Sequence, residues 1–468
     1  MKDLLKTFLI YGMATFVDKL IAFLFIPVYA KYFSVVEFGK MELILSLISI
    51  FSIFVFLQLE TSLQRYFFDL SGEQIKIFFS TIIYFVITIS LLVCFVIIGL
   101  SEFLSSFILS DSSSAGLIMW GAFQIPFICL YTFSTIMLRF SKRYSVFVKV
   151  IIVSSVCNLF FPIYLVILQN MGLRGYFIAQ FFSILAVSLF SIYHVREYIV
   201  AGFSLKDLKM ALHYALPQFP ARVGSTINAY ANRFFINGYI DQYSMGIFAM
   251  AFKVSSILQV FYQFFVTFWN QMLFEVRQKK NHKEILADIF NLFNPIVFLL
   301  VSFFCLFSRD ILLLISDKFA EGDYLIGMIT FSIALLLLKE IVDVGPKYLK
   351  KTSLLSVNFI FSVVVNVISL FVLVPLWGLK GVAISLVVTN FVLLILSWYN
   401  SNRIYFIPFK KSVILLNALP CLFLIYMNYS NVILDFIIYK IVISIGLLFI
   451  YGFGISIGAK KFYLSYGN

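Results

Sequence analysis

Charge is scarce in this chain: 12% of its 468 residues are charged, against 62% hydrophobic. No soluble domain needs so apolar a surface, so that class is excluded. Cysteine is sparse too. Cys94, Cys129, Cys157, Cys305 and Cys421 all fall inside apolar runs without metal-ligand spacing, which argues against a disulfide framework and against a metal site. There is no GxxxxGK[ST] P-loop, no HExxH and no GxSxG, so no nucleotide-hydrolysing or common hydrolase signature is present. No long loop with paired acids or clustered arginines separates the apolar runs, which argues against a membrane-embedded glycosyl polymerase or ligase. The ten-residue alternation of a membrane β-barrel is missing as well. Catalytic residues and cofactors are therefore not expected, and the protein is not read as an enzyme.

What the chain does have is apolar runs near 20 residues from end to end, each able to cross a hydrocarbon core of roughly 30 Å, and a mean hydropathy of +1.02. They predict an all-α polytopic membrane protein with fourteen transmembrane helices and no inserted soluble domain. The first run resembles a signal peptide, but Asp18 and Lys19 interrupt it and no A-x-A-like site follows. It is read as an uncleaved first span over residues 7–30. With the N-terminus placed in the cytoplasm, 23 Lys and Arg fall on inside segments, 7 on outside segments and 5 within spans. The positive-inside rule then puts both termini in the cytoplasm. It also accounts for most of the net charge of +13 without nucleic acid.

Two halves repeat. The stretch from Gly172, GLRGYFIAQFF, answers the one from Gly378, GLKGVAISLVV, at an offset of 206, and Lys6, Tyr11 and Lys19 answer Lys209, Tyr214 and Arg222 at 203. The repeat predicts two pseudo-symmetric six-helix lobes, residues 1–200 and 201–405, with two further C-terminal helices in 406–468. The lobes share one orientation, and in such repeats substrate sites lie at the repeat interface near the midplane.

The seventh span, expected over residues 213–238, is oddly polar. Arg222 and Arg233 stand eleven residues apart, close to three turns, hence on nearly one face and about 16 Å apart along the axis. A guanidinium facing lipid costs roughly 2.5–3.5 kcal/mol even on a lenient scale, so this face is expected to look into a polar cavity. Lys19, Arg222, Arg233 and Lys253 make the intramembrane excess cationic, which suits an anionic cargo. Arginine suits phosphate best, since its planar fork binds two oxygens at once. Asp18, Glu340 and Asp343 are candidates for ion coupling or for structural ion pairs, with Asp18 read as the only acid near a span centre. Pro217 and Pro220 mark a fixed bend or a hinge.

The patterns YGMATFVDKLIAFLFIPVYAKYFSVVEFGKMELI, QRYFF, ALPQFPARVGSTINAYANRFFINGYID with SMGIFAMAFKV, and the late GLKGVA resemble the oligosaccharide flippases (Wzx type, polysaccharide biosynthesis proteins) of the multidrug/oligosaccharidyl-lipid/polysaccharide exporter superfamily. The resemblance covers nearly the whole chain. One departure is Asn232-Arg233, where family members often have an Asp-Arg pair. The resemblance implies a monomeric V-shaped transporter in the bacterial inner membrane. It would move an undecaprenyl-pyrophosphate-linked oligosaccharide of O-antigen or capsule type to the periplasmic leaflet, driven by an ion gradient or by product removal. Contacts with a polysaccharide polymerase and a chain-length regulator are implied as partners. The same fold also serves lipid II flippases and cation-coupled multidrug exporters.

Overall fold

The computed structural model describes residues 21, 23–349, 351, 353–430 and 437–467. Every regular element among them is helical. Eleven helical segments are long and apolar enough to cross a membrane, so the chain is an integral membrane protein. One of them, Ser353–Ile404, holds 52 residues and bends at Gly378. It is two helices joined at Gly378 (φ 56°, ψ −134°), and Asn400 Nδ2 donates to Asn358 Oδ1 at 2.6 Å, so the two arms lie side by side. The expected first span falls largely outside the described residues, as do Asp18 and Lys19.

The described residues divide into two compact units between Gly238 and Tyr239. In the first unit, α1 (Val35–Phe56) opens with a capping box: the Glu37 N–H donates to Ser34 Oγ at 3.2 Å and the Ser34 N–H to Glu37 Oε2 at 2.8 Å. Two orphan backbone donors are thereby satisfied. The helix starts at Val35 rather than at the residue 41 expected from hydropathy. It ends where Leu57 and Gln58 adopt φ of 46° and 61°, which separates it from α2 (Leu59–Tyr66). The helices α3 (Glu73–Gly99), α4 (Ala115–Ala122), α5 (Gln124–Phe140), α6 (Tyr144–Pro162) and α7 (Gly172–Val195) follow. α7 packs on α5 and α6, and α5 on α3. The unit closes with α8 (Leu205–Ala215) and α9 (Phe219–Tyr239). The contact division falls later than the repeat boundary at residue 200 because α9 packs within the first unit. Phe219 meets the Phe54 ring of α1 edge-on at 5.7 Å, and Asn237 Nδ2 donates to Ile108 O at 2.5 Å.

The second unit contains α10 (Gln242–Val276), α11 (His282–Leu306), α12 (Asp323–Val342), α13 (Ser353–Ile404), α14 (Lys411–Tyr429) and α15 (Ile437–Gly467). α12 packs against α10, α11 and α13, and α11 against α14 and α15. α13 shows how lipid inverts the usual pattern. Val357, Ile360, Phe361, Val364, Ile368 and Phe371 are exposed at helical spacing, whereas Asn358, Ser362 and Asn366 are buried four residues apart. Apolar groups face lipid at no cost, and the polar ones find protein partners inside.

The sequence repeat has a structural counterpart in each unit. Gly172 and Gly378 both have positive φ, 55° and 56°, which an L-residue with a Cβ rarely adopts. Three residues on, a Cβ at Gly175 would lie 3.0 Å from Leu165 O, and one at Gly381 would lie 2.0 Å from Leu373 O. The two Gly-x-x-Gly motifs are the same backbone device used twice: a left-handed entry followed by a close approach of chain to chain.

Candidate substrate cavity

The polar seventh span is two helices rather than one. Pro217 sits in a 3-10 turn, Leu216–Gln218, between α8 and α9. Proline has no N–H, so His213 and Leu216 lose their α-helical donors to Pro217 and Pro220. Leu216 O takes the Phe219 N–H instead. Gln218 Nε2 adds a bond to Tyr214 O at 3.1 Å. The expected continuous span from 213 to 238 is thus corrected to a turn followed by α9, with Pro220 in its first turn.

From that start, α9 presents Arg222, Ser225, Thr226, Ala229 and Tyr230 to a cavity of about 380 Å³ in the first unit. The opposite wall is the face of α1 carrying Ile48, Ser49, Ser52, Ile53 and Phe56, with Ile128 of α5 beside it. The α9 wall follows the i, i+3, i+4, i+7, i+8 spacing of one helix face and the α1 wall the i, i+1, i+4, i+5, i+8 spacing of another. Ser225 and Thr226 donate to Arg222 O at 2.7 and 2.9 Å, Ser49 to Leu45 O and Ser52 to Ile48 O at 2.7 Å each. The Arg222 side chain is exposed, and among the described residues its guanidinium has no ion-pair or hydrogen-bond partner. Glu60 lies within electrostatic range of it, with a buried Oε2 that has no hydrogen-bond partner among the described residues.

Arg233 is placed differently from Arg222. It is 6% exposed, its Nε lies 3.6 Å from Glu42 Oε2, and its Nη1 donates to Ala229 O at 2.7 Å. Its guanidinium also lies over the Tyr230 ring at 5.1 Å. It fastens α9 to α1 and does not line the cavity. Its neighbour Asn232 is 1% exposed, and neither amide atom has a hydrogen-bond partner among the described residues. Glu42 was hidden from the hydropathy reading. With α1 starting at Val35, it is a buried acid two turns inside the helix, so Asp18 is not the only acid near the middle of a span. The Ser34–Glu37 capping box was the signal that could have revealed it.

In the second unit, Lys253 is half-buried on α10. Glu340 and Asp343 lie in one cluster with Lys339 and Lys347. Lys339 Nζ is 3.0 Å from Glu340 Oε1 and 3.1 Å from Asp343 Oδ2, and Lys347 Nζ is 3.0 Å from Glu340 Oε2. Tyr262 OH donates to Glu340 Oε1 at 3.2 Å, and Trp269 Nε1 to Glu340 O at 3.0 Å. Two cations meet two anions, so the cluster balances its own charge. Among the described residues no group of His, Cys, Asp and Glu is arranged to hold a metal ion.

A family model described as polysaccharide biosynthesis protein matches residues 4–269, more than half of the chain and the part that holds the cavity. The chain belongs to the polysaccharide biosynthesis protein family. No curated protein matches the sequence. Among solved structures, one named lipid II flippase MurJ, in an inward closed conformation, is similar with a TM-score of 0.75 and 15% identity, over 98% of this chain and 99% of that one. A multidrug resistance MATE family transporter of the MOP superfamily, inward-facing, is similar with a TM-score of 0.60 and 14% identity, over 82% of this chain and 94% of that one. At these identities the likeness is one of fold. This polysaccharide biosynthesis protein has the helical fold of the MurJ and MATE transporters.

Proposed function

We propose that the protein is a flippase. It moves undecaprenyl-pyrophosphate-linked oligosaccharide repeat units, of O-antigen or capsule type, from the cytoplasmic to the periplasmic leaflet by alternating access. The observation that supports this most is Arg222. A guanidinium uncommitted among the described residues, at a cavity walled by hydroxyls, suits a diphosphate with sugars attached. Lys19, Arg233 and Lys253 complete the proposed cationic set, Arg233 by holding α9 in place. Pro217 and Pro220 serve as the hinge, and Asp18, Glu340 and Asp343 as ion-coupling or ion-pairing groups. Fourteen crossings, arranged as repeats over 1–200 and 201–405 with two added spans in 406–468, leave both termini in the cytoplasm of a monomer in the inner membrane. The polyprenyl tail stays in lipid, and a polymerase and chain-length regulator receive the product.

The test is export. Arg222→Ala and Lys19→Ala are each expected to reduce surface polysaccharide severalfold at unchanged protein level; normal polysaccharide in both variants would sink the assignment. The likeness to a lipid II flippase favours a second reading, peptidoglycan precursor transport. Gene deletion separates the two: loss of surface polysaccharide with survival fits the first, and lysis fits the second. An exporter of cationic drugs is disfavoured by the uncommitted arginine.

A further inference from the structure

The first unit has a second polar cavity, which shares no lining residue with the Arg222 cavity. It holds about 610 Å³ and is lined, among others, by Glu37, Lys40, Gly116, Trp120, Asn170 and Arg174. These residues come from the N-terminal turns of α1 and α7, from α4 and from the loop before α7. In the topology proposed above they lie on the side poor in Lys and Arg, which is the periplasmic side.

Its charges cancel. Lys40 Nζ is 2.7 Å from Asp111 Oδ2. Lys40 and the Ser113 and Ser114 hydroxyls hold the Asp111 carboxyl well below the usual range, so this pair stays charged and internally neutral. Glu37 and Arg174 add one acid and one base. The Arg222 cavity, by contrast, presents a guanidinium with no ion-pair partner among the described residues. A cavity that is polar and aromatic but neutral suits an uncharged, hydroxyl-rich ligand, and its volume lies within the ~300–1,000 Å³ of small-molecule sites. Trp120 supplies an apolar ring wall with a polar N–H. A π-helical turn, Ile163–Leu168, leads into the lining residues Asn170 at φ 51° and Gly172 at φ 55°, and such turns recur at functional sites.

The repeat shows why the cavity is open. Arg174 corresponds to Lys380 in the second unit, whose ammonium lies over the rings of Tyr324 and Tyr429 at 5.6 and 4.0 Å. Tyr324 is the second residue of α12, which follows a 3-10 turn. Its counterpart α4 also follows a 3-10 turn, and its second residue is Gly116. A Cβ at Gly116 would meet nothing within 4 Å. Where the second unit stacks its cation on aromatic rings, the first unit has empty space and an arginine with no ion-pair partner among the described residues.

We propose that this cavity is a subsite for the uncharged sugars of the translocated glycan, engaged on the periplasmic side after the pyrophosphate has left Arg222. The proposal rests on the flippase reading for its cargo and its sidedness, and it is tested by binding as well as by export. The probe is the oligosaccharide freed by mild acid from the producing cell's own surface polysaccharide, observed by saturation-transfer NMR on the purified full-length protein. Wild type is expected to saturate the sugar protons. Trp120→Leu is expected to bind about tenfold more weakly, the scale of one lost aromatic contact. Gly116→Tyr, which fills the space as Tyr324 does, is expected to abolish the signal, whereas Gly116→Ala retains it. Monodisperse elution of each variant guards against misfolding. No signal with wild type, undiminished signal in both Trp120→Leu and Gly116→Tyr, or displacement of the sugar by equimolar inorganic pyrophosphate would each overturn the proposal. Normal export in both Arg222→Ala and Lys19→Ala together with a Gly116→Tyr binding defect would defeat the flippase reading and leave the sugar site standing.

Discussion

At the scale of single residues, two basic side chains on one helix do different work. Arg222 is exposed and uncommitted among the described residues, and Arg233 is buried against Glu42. Removing one partner of a buried ion pair leaves the other charge without its counterpart, which typically costs about 3–5 kcal/mol, whereas replacing both by apolar groups is often near neutral. Glu42→Met is therefore expected to lower the thermal midpoint of the detergent-solubilised protein, and adding Arg233→Met is expected to restore most of the loss. A double variant no more stable than Glu42→Met would remove the pair from the account. Asp111 gives a pH test. Its carboxyl is held below the unfolded value by Lys40 and two serine hydroxyls, so its contribution is fully present above the unfolded pKa of about 4. It is lost as pH falls through the lowered folded value. The stability gap between wild type and Asp111→Asn should stay flat from neutral pH down to about 5 and close only in stronger acid.

At the scale of elements, the helices were readable because lipid-facing runs are long and uniformly apolar. Their breaks were less so. Leu57 and Gln58 end α1 in the left-handed region without glycine or proline, so no residue type announced the stop. The start of α1 was announced by Ser34 and Glu37, but a hydropathy window weighs lipid affinity and passes over caps, so Glu42 went unseen. Pro217 and Pro220 were legible as a weak point, yet only the structure resolves that point into a 3-10 turn. The cavity was half legible: eleven-residue spacing put Arg222 and Arg233 on one face, but spacing carries no information about the acid that waits opposite one of them. The Gly-x-x-Gly devices give the test at this scale. Gly381→Ala drives a Cβ to 2.0 Å from the Leu373 carbonyl oxygen, a backbone clash that no rotamer relieves. Loss of monodisperse protein is expected, and normal yield would show that α13 can shift its two arms.

At the scale of the whole molecule, the uneven distribution of Lys and Arg makes a topological prediction. A cysteine placed at Ser113, on the sparse side, should react with an impermeant thiol reagent in intact spheroplasts. A cysteine at Lys280, on the rich side, should react only after the membrane is opened. Reaction of Lys280→Cys alone would reverse the proposed orientation and with it the proposed direction of transport, and reaction of both would place the two sites on one side and undo the proposed topology.

The hydroxyls around Arg222 carry one more consequence. Ser49, Ser52, Ser225 and Thr226 each spend their single proton on a carbonyl of their own helix, so what they turn outward is lone pairs alone. These four hydroxyls can accept hydrogen bonds but have none of their own to give. Sugar O–H groups find acceptors at these four hydroxyls, and a fully O-methylated sugar of the same size is left with the donors of Arg222 and Tyr230 alone.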